Sequence, residues 1–323
     1  MSAIPVGALD RRIIGALQVD GRASWRRIAA ALGEPERTVA RHGTRMLEER
    51  TVVVTGAVAH GSAALIRARC VQAATRVAAG ALAHRRDTTF TYVLTGTADC
   101  LAEVLSPDDR LASIALDELP GTPGLVQCTT LPVLRYFRTV HEWQPGLLTA
   151  AEVEAVREYP SMTPSSTDHR ASELGREEKE ILRALAEDGR LSHDAIARLV
   201  GVSEPTARRR VDWLRRNGVV HIRAVVAPEV LGLPVEAILW IRVPPVRVDE
   251  VGEALLGSPW VRYAAAVMGE HQIVADVTVP DRFALYEFVT RAPWVAHVES
   301  VETSLVIHSL KRSGVLSGTG VRR

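Results

Sequence analysis

The sequence predicts an α+β protein in which one unit, a three-helix head followed by a mixed βαββαβ body, occurs twice. The segment "VDGRASWRRIAAALGEPERTVAR" aligns with "EDGRLSHDAIARLVGVSEPTARR", and Gly21 pairs with Gly189 at an offset of 168 residues. Further along, "TGTADCLAEV" aligns with "MGEHQIVADV" and pairs Gly96 with Gly269 at an offset of 173 residues. Because chance does not hold one register over such lengths, we interpret the 323-residue chain as a tandem duplication.

The composition is that of a globular protein, since 47% of the residues are hydrophobic. No apolar run is long enough to span a bilayer and no secretory signal is recognised, so we expect no membrane partner and a cytoplasmic location. The three cysteines, Cys70, Cys100 and Cys128, lack the paired spacing of a zinc site or a disulfide framework. We expect no metal and no cofactor. Because 39 Lys and Arg residues balance 38 Asp and Glu residues, any electrostatic argument must be local.

The second head carries the signals of three short helices. Ile181 and Leu185 share one face of the first helix, and Ser192 is a predicted N-cap of the second. Gly201 supplies a sharp turn, and Ser203 is a predicted N-cap of the third helix. Three short helices with a glycine turn between the last two form a helix-turn-helix, whose last helix usually enters the major groove of DNA.

The third helix of this head concentrates positive charge, with five arginines in "GVSEPTARRRVDWLRRNGVV". A planar guanidinium offers paired donors to guanine edges and strong contacts to phosphate. Double-stranded DNA is therefore the predicted partner, in preference to a charged face that only meets solvent. The predicted DNA-binding residues of this head are Ser203, Glu204, Thr206, Arg208, Arg209, Arg210 and Trp213.

The first head is a diverged copy with a weaker DNA-binding signal. In "PERTVARHGTRMLEER" acidic residues balance the arginines, Pro35 stands where the second head has Ser203, and Gly43 interrupts the helix. This head either reads bases or is a structural relic that touches only phosphates. Its candidate DNA-binding residues are Arg37, Thr38, Arg41, His42 and Arg45.

The bodies have the βαββαβ order of a ferredoxin-like domain, which places two helices on one face of a four-stranded sheet. In "VEAILWIRV" alternate residues would cover the helix side, yet Ile238 and Trp240 occupy the other side. We expect that second face to be buried as well, in a pseudo-symmetric pair of bodies formed within one chain or between two chains.

The predicted domains follow the chain in order. They are a first helix-turn-helix at 1–58, a first body at 59–146, a capped helix and linker at 147–173, a second helix-turn-helix at 174–228, a second body at 229–313 and a flexible tail at 314–323. Thr149 and Glu152 have the spacing of a capping box, which predicts a helix to about Tyr159. The Ser-, Thr- and Pro-rich residues 160–172 predict a flexible joint.

The motifs "DGRLS", "GVSEPTARRRV", "NGVV", "MGEHQIVADV" and "VESVETSLVI" together resemble the Lrp/AsnC family of transcriptional regulators over about residues 174 to 312. The resemblance implies two winged or helix-turn-helix heads, two ferredoxin-like RAM domains, a homodimer or tetramer (or an intrachain pseudo-dimer), and a small effector such as an amino acid. It also places the glycine loops near the effector, against the alternative of plain turn geometry. The implied effector-binding residues are Gly96, Thr97, Asp99, Gly269, Glu270, His271 and Gln272.

Two other functions are weighed against a DNA-binding regulator. Siroheme decarboxylases are similar in layout, and fused two-copy forms exist, but the strand "VRYAAAVMG" has Tyr263 without the histidine and the following arginine of those enzymes. Arg262 and His271 are expected to be surface or loop residues and not an acid/base pair. The remaining alternative is a metabolite-binding module without DNA contact. We predict that the chain is not an enzyme.

Overall fold

The computed structural model describes residues 6–58, 62–105, 110–159 and 174–317. The predicted joint at 160–172 and the last part of the predicted tail lie outside the described residues. The chain divides into two compact units: a head unit, mainly Pro5–Ala59 with Gln144–Ala227, and a body unit, mainly His60–Trp143 with Pro228–Thr319. Each head therefore joins the other head, and each body joins the other body.

The elements of the first half are α1 (Ala8–Val19), α2 (Trp25–Leu32), α3 (Glu36–Glu48), β1 (Val53–Val58), β2 (Ala63–Cys70), α4 (Thr75–His84), β3 (Thr88–Leu94), β4 (Cys100–Leu105), α5 (Leu111–Ser113, continued by a π-helical turn Ile114–Glu118), β5 (Leu125–Arg138) and α6 (Ala150–Val156). Those of the second half are α7 (Arg176–Glu187), α8 (His193–Val200), α9 (Glu204–Arg216), β6 (Val220–Val225), β7 (Val235–Arg242), α10 (Val248–Leu256), β8 (Val261–Val267), β9 (Ile273–Val279), α11 (Arg282–Arg291), β10 (Ser300–Arg312) and β11 (Val315–Leu316).

Helix ends follow the predicted caps with two differences. Ser192 caps α8 by accepting a hydrogen bond from the Ala195 amide. Ser203 occupies the N-cap position of α9 but does not cap it, because its hydroxyl lies 2.9 Å from the Thr206 hydroxyl instead. The Thr149 capping box is present, yet α6 ends at Val156, earlier than predicted. The predicted flexible tail also differs, because β11 within it pairs with β10.

The two heads are joined by an antiparallel pair of strands, β1 and β6. The pairing is pseudo-symmetric, because Val53↔Val225 becomes His221↔Ala57 when each residue is shifted by the offset of the duplication. Beside this ladder the Gly21 amide donates to the Ile222 carbonyl at 2.8 Å. A Cβ at Gly21 would lie 2.7 Å from a Val54 methyl carbon, so this position has no room for a side chain.

The Asp-Gly-Arg repeat connects the heads reciprocally. Arg22 donates to the Gly189 and Leu191 carbonyls at 2.8 and 2.9 Å. Arg190 donates to the Gly21 carbonyl at 2.7 Å, and its guanidinium lies 4.6 Å from the centre of the Trp25 ring. Burial lowers the pKa of both guanidinium groups. These repeated arginines therefore hold the two heads together.

In the body unit the two sheets join at both edges into a closed arrangement. Each body has the ferredoxin-like strand order, β5-β2-β4-β3 in the first and β10-β7-β9-β8 in the second, which confirms the predicted fold class. The long last strands make the junctions, because β5 also pairs with β8 and β10 also pairs with β3. The predicted pair of bodies thus forms within one chain.

The inward faces of both sheets share one core. Trp240 and Ile238, the residues that predicted a second buried face, pack there with Tyr263 from the same body and with Phe90 and Tyr92 from the other body. Trp240 is fully buried. Burial of large apolar side chains from both bodies stabilises their pairing.

Candidate nucleic-acid interface and effector loops

The recognition helix α9 leaves Arg209 exposed, and this residue forms no ion pair among the described residues. Trp213, one turn later, is 48% exposed. Thr206 is partly exposed, and Arg208 is exposed but pairs with Glu204 one turn earlier, at 2.9 Å. A surface ion pair of this kind contributes little and is readily exchanged for a phosphate contact. This face of α9 presents donors and an aromatic ring to solvent.

Arg210 was predicted to bind DNA, but the structure places it between two helices of its own head. Its guanidinium donates to Glu178 at 2.6 Å and also pairs with Glu177, both in the first turn of α7. Only 28% of the side chain is exposed. Arg210 therefore fixes α9 against α7, a role that sequence reasoning missed because the acidic partners lie on another helix.

The first head repeats this contact with different residues. His42 is the counterpart of Arg210, and Asp10 is the counterpart of Glu178; their side chains meet at 2.6 Å. Arg45 binds the other oxygen of Asp10 at 2.8 Å. Two of the five candidate DNA-binding residues of α3 are thus occupied within the head. Arg37 and Arg41 remain exposed, and Thr38 is partly exposed.

Arg215, in the last turn of α9, connects the heads. It is 9% exposed and pairs at 2.7 Å with Asp20, which is 4% exposed and lies at the end of α1 in the other head. Its guanidinium also lies 4.2 Å from the centre of the Tyr159 ring. The arginine cluster of α9 therefore serves two purposes: exposed members face solvent, and buried members fix the helix in place.

Gly43 is explained by a close approach within the first head. A Cβ at this position would lie 2.4 Å from two ring carbons of Trp25. Although alanine favours a helix interior by about 1 kcal/mol, we expect Gly43→Ala to destabilise the head unit by about 1–3 kcal/mol because the indole must move. Chemical denaturation would measure the change.

A matched control for that variant is Gly80→Ala. Gly80 lies within α4, and nothing is found within 4 Å of an added Cβ. This variant should stabilise the chain by about 0.5–1 kcal/mol through helix propensity alone. Equal effects of the two substitutions would show that the Trp25 contact does not constrain position 43.

The glycine loops have the turn geometry that glycine permits. Gly96 has a φ of 97° and Gly269 a φ of 138°, which other residues adopt only with strain. Glu270, next to Gly269, pairs with Arg242 at the end of β7. Turn geometry therefore accounts for both glycines, whether or not a ligand lies close by.

Asp99 and Gln272 make the same contact in the two bodies. The Asp99 carboxylate accepts a hydrogen bond from the Cys70 amide at 2.8 Å. The Gln272 carbonyl oxygen accepts one from the Val243 amide at 3.1 Å. A neutral amide replaces the carboxylate because the contact needs only an acceptor. Each side chain thus accepts a backbone hydrogen bond at the end of the adjoining strand.

Residues of both loops meet at Glu302 on β10. Arg67 binds Glu302 at 2.9 Å, and the Thr97 hydroxyl hydrogen-bonds to both of these side chains. His271 of the second loop lies 4.0 Å from the same carboxylate, and burial lowers its pKa. Arg67 also lies 4.3 Å from the centre of the Trp240 ring. This cluster ties the first loop to the second body.

A surface groove of about 390 Å³ opens beside Gln272. Its volume is in the range of small-ligand sites. Its walls are mostly apolar with one carboxylate, and the lining residues are Leu134, Pro245, Val246, Val248, Asp249, Ala266, Val267 and Gln272. The groove joins the loop of the second body to the last strand of the first.

Arg262 was expected at the surface, but it is 2% exposed in the body unit. It donates to Glu236 at 2.5 Å and to Asp276 at 3.3 Å. Arg312 binds both oxygens of Glu236, at 2.5 and 2.7 Å, and the Tyr92 hydroxyl donates to Asp276 at 3.1 Å. Five strands supply this buried polar network, so no local pattern in the sequence marks it.

Charge within the network is unevenly distributed between its two carboxyl groups. Burial raises the pKa of Asp276 to about 7, and the nearby Glu236 carboxylate adds to the shift. Burial opposes ionisation of Glu236 too, but Arg312 and Arg262 overcome it and lower its pKa. Glu236 is therefore the carboxylate that balances the two guanidinium groups.

Two searches of the described residues were negative. No group of three or more His, Cys, Asp or Glu side chains among them has the arrangement of a metal site. None of their helices combines the length and the apolarity needed to cross a bilayer.

Family models match three segments of the chain. The AsnC-type helix-turn-helix domain matches residues 8–46 and again residues 178–215. The Lrp/AsnC ligand binding domain matches residues 236–316. Within these segments lie most of α3 and of α9, the loop of the second body, and the network residues Glu236, Arg262, Asp276 and Arg312.

Two solved structures have the same fold along nearly the whole chain. The siroheme decarboxylase NirDL superposes with a TM-score of 0.58 over 95% of this chain and 93% of its own, at 15% identity. Its complex with an iron-uroporphyrin III analogue superposes with a TM-score of 0.56 at 16% identity. At such identities the likeness shows the shared two-copy fold and nothing about activity.

Curated relatives share more of the sequence. An uncharacterized HTH-type transcriptional regulator, PH0140 of Pyrococcus horikoshii, is 35% identical over 147 residues, which are 45% of this chain and 92% of the relative. The HTH-type transcriptional regulator FL11 of Pyrococcus furiosus is 28% identical over 131 residues, 40% of this chain and 87% of the relative. One such relative corresponds to about half of this chain, as the duplication requires. The chain belongs to the Lrp/AsnC family of HTH-type transcriptional regulators.

Proposed function

We propose that this transcriptional regulator reads duplex DNA mainly through the exposed face of α9, with Arg209 as the principal base-reading residue. The observation that carries this proposal is that Arg209 is exposed and unpaired among the described residues, whereas Arg210 and Arg215 are held by acidic partners. An arginine without an internal partner keeps its planar donors for guanine or phosphate. Thr206 and Trp213 lie on either side of it along the helix.

The site that one chain reads is asymmetric. The two heads are joined by β1 and β6, so one chain presents α9 together with α3. Of the five candidate DNA-binding residues on α3, His42 and Arg45 contact Asp10, and Arg37, Thr38 and Arg41 do not. Fewer residues of α3 are therefore available to DNA, and α3 is the weaker of the two reading helices. Pairing of two chains would present two copies of α9 to half-sites about one helical turn, or a multiple of it, apart.

The body unit supplies the response to a small molecule. The groove beside Gln272 fits a ligand with an apolar part. Its one carboxylate, Asp249, pairs with Arg135 at 2.6 Å, so the ammonium group of an amino acid would replace Arg135 there. Because the groove is lined by both bodies, a ligand there would change their packing. A coupling of this kind to DNA affinity is typically about 1–3 kcal/mol.

A salt titration on DNA from the upstream region of the protein's own gene tests the reader. We expect Arg209→Ala to weaken specific binding by about 1–3 kcal/mol, and to reduce the salt dependence if the guanidinium holds a phosphate. The matched control is Arg41→Ala, the equivalent position in α3, which should cost less. Unchanged affinity and salt slope in Arg209→Ala would contradict the proposal.

The second candidate function is that of a siroheme decarboxylase-like enzyme, because NirDL shares the fold of this chain. Against it, the Tyr263 ring packs edge-on against Phe90 and Tyr136, at centroid distances of 5.5 and 5.9 Å. Titrating the protein with siroheme while recording absorbance separates the two functions. Stoichiometric binding with release of carbon dioxide would favour the enzyme. Binding of neither siroheme nor DNA would favour a metabolite-binding module.

A further inference from the structure

The three cysteines of the chain come together under α4 in the first body. Cys70 ends β2, Cys100 begins β4 and Cys128 lies on β5, and all three belong to one packed cluster. The sulfur atoms of Cys70 and Cys100 are 3.7 Å apart. Sequence spacing gave no sign of this pair, because antiparallel pairing of β2 with β4 brings the two residues together.

The two thiols differ in exposure. Cys70 is half-buried, whereas Cys100 is fully buried. A small oxidant in solvent therefore reaches the sulfur of Cys70 first, because the sulfur of Cys100 is buried next to it. We propose that Cys70 and Cys100 form an oxidation site, which a hydroperoxide converts to an intrachain disulfide.

The reaction takes two steps. The Cys70 thiolate attacks the peroxide, the O–O bond breaks, and Cys70 becomes a sulfenic acid as the peroxide is reduced to water or an alcohol. The Cys100 thiol then attacks the Cys70 sulfur, its proton passes to the departing hydroxyl group, the S–O bond breaks, and water leaves. In total two thiols lose two electrons and two protons to one hydroperoxide.

Closure needs a small movement of the backbone, because diagonal neighbours lie about 7–8 Å apart and the Cα atoms of a disulfide about 4.4–6.8 Å. Ala68 is the register partner of Cys100, so Cys70 lies two residues further along β2 on the same face, a diagonal neighbour. The sulfur atoms must approach from 3.7 Å to about 2.05 Å. The pairing of β2 with β5 is irregular between Arg69 and Cys70, so the movement falls on a strand end that is already out of register.

Oxidation would act on the glycine loop of the first body alone. The Cys70 amide donates to the Asp99 carboxylate, and Asp99 precedes Cys100, so the disulfide would close the same turn that this hydrogen bond closes. The equivalent positions of the second body, at the offset of 173, are Val243 and Ile273. The second body therefore has no such site and serves as an internal reference.

Both thiols are weakly acidic, which gives the reaction a pH dependence. Burial raises the pKa of Cys70 and, more strongly, of Cys100. Since the thiolate is the reacting form, oxidation by hydrogen peroxide should accelerate steadily as the pH rises from 7 to 9. A rate that does not change over this range would contradict reaction through these thiols.

Peptide mapping of the full-length protein after treatment with hydrogen peroxide tests the proposal. We expect loss of two hydrogen atoms in the intact mass, a disulfide linking Cys70 to Cys100, and reversal by dithiothreitol. Cys128→Ser should react like the unaltered protein. A disulfide through Cys128, or three thiols that remain open to alkylation after treatment, would overturn the assignment.

Variants of the pair separate the two steps. Cys100→Ala should stop at a sulfenic acid on Cys70, trapped by dimedone, and Cys70→Ala should leave Cys100 reduced. Oxidation of Cys100 in Cys70→Ala at the rate of the unaltered protein would contradict the order of attack. Because mapping of the unaltered protein needs no variant, the assignment stays testable if a variant fails to fold.

Discussion

Replacing Glu236 with glutamine is expected to lower the unfolding free energy of the body unit by about 3–5 kcal/mol, the usual cost of breaking a buried ion pair. Glu236 is 7% exposed and accepts three hydrogen bonds from Arg262 and Arg312, which are themselves 2% and 8% exposed. Glutamine keeps the shape of the side chain but removes its charge. Two buried guanidinium groups would then share Asp276, which resists ionisation.

Glu253→Gln is the matched control for this variant. Glu253 also pairs with an arginine, Arg135, at 2.9 Å, but the two side chains are 56% and 49% exposed. Loss of such a surface pair costs about 0–1 kcal/mol. Urea denaturation followed by tryptophan fluorescence, to which the buried Trp240 contributes, would measure both. Similar small losses in the two variants would mean that the buried network does not stabilise the body unit.

The second large effect that we expect is a fall in the unfolding free energy as the pH rises, caused by the titration of Asp276. Its pKa is raised from 3.8 to about 7 in the folded state. Between these values the folded chain holds a proton that the unfolded chain has released, so the unfolding free energy falls as the pH rises. The stabilisation is complete below about pH 4 and lost above about pH 7. Each pKa unit corresponds to about 1.4 kcal/mol, which gives about 4 kcal/mol as an upper limit.

Asp276→Asn isolates this contribution from the other carboxyl groups. The groups facing Asp276 are Glu236, Arg262, Arg312 and Tyr92, and they are retained in the variant. The stability of the unaltered protein relative to the variant should therefore decline between pH 4 and pH 7 and then level off. A difference that stays constant, or that grows with pH, would show that Asp276 is ionised in the folded chain.

The sequence indicated the fold through patterns that are local or periodic. The constant offset revealed the duplication, the alternation in "VEAILWIRV" revealed a strand buried on both faces, and Ser192 with Gly201 marked the ends of α8. The offset follows from comparing the chain with itself, and the other two patterns follow from the geometry of one element, so none of them requires knowledge of spatial neighbours. The same reasoning found the recognition helix, since five arginines close together on one helix form a local signal.

Roles that depend on a partner from another element were not predictable. Arg209, Arg210 and Arg215 look alike along α9, and only the positions of Glu178 on α7 and Asp20 on α1 separate them. Arg262 looked like a surface residue because its partners come from other strands. Charge in a sequence gives the sign of an interaction but not its distance or its burial, and these two quantities set its energy.

The sequence by itself determined that the chain is a duplicated Lrp/AsnC-type protein with a charged recognition helix, because propensity, periodicity and internal repetition are properties of consecutive residues. Only the tertiary structure decided that the heads join through β1 and β6, that the bodies close on each other within one chain, and which arginines remain open to DNA. These outcomes depend on contacts between residues more than a hundred positions apart, whose energies arise only when the intervening chain has folded.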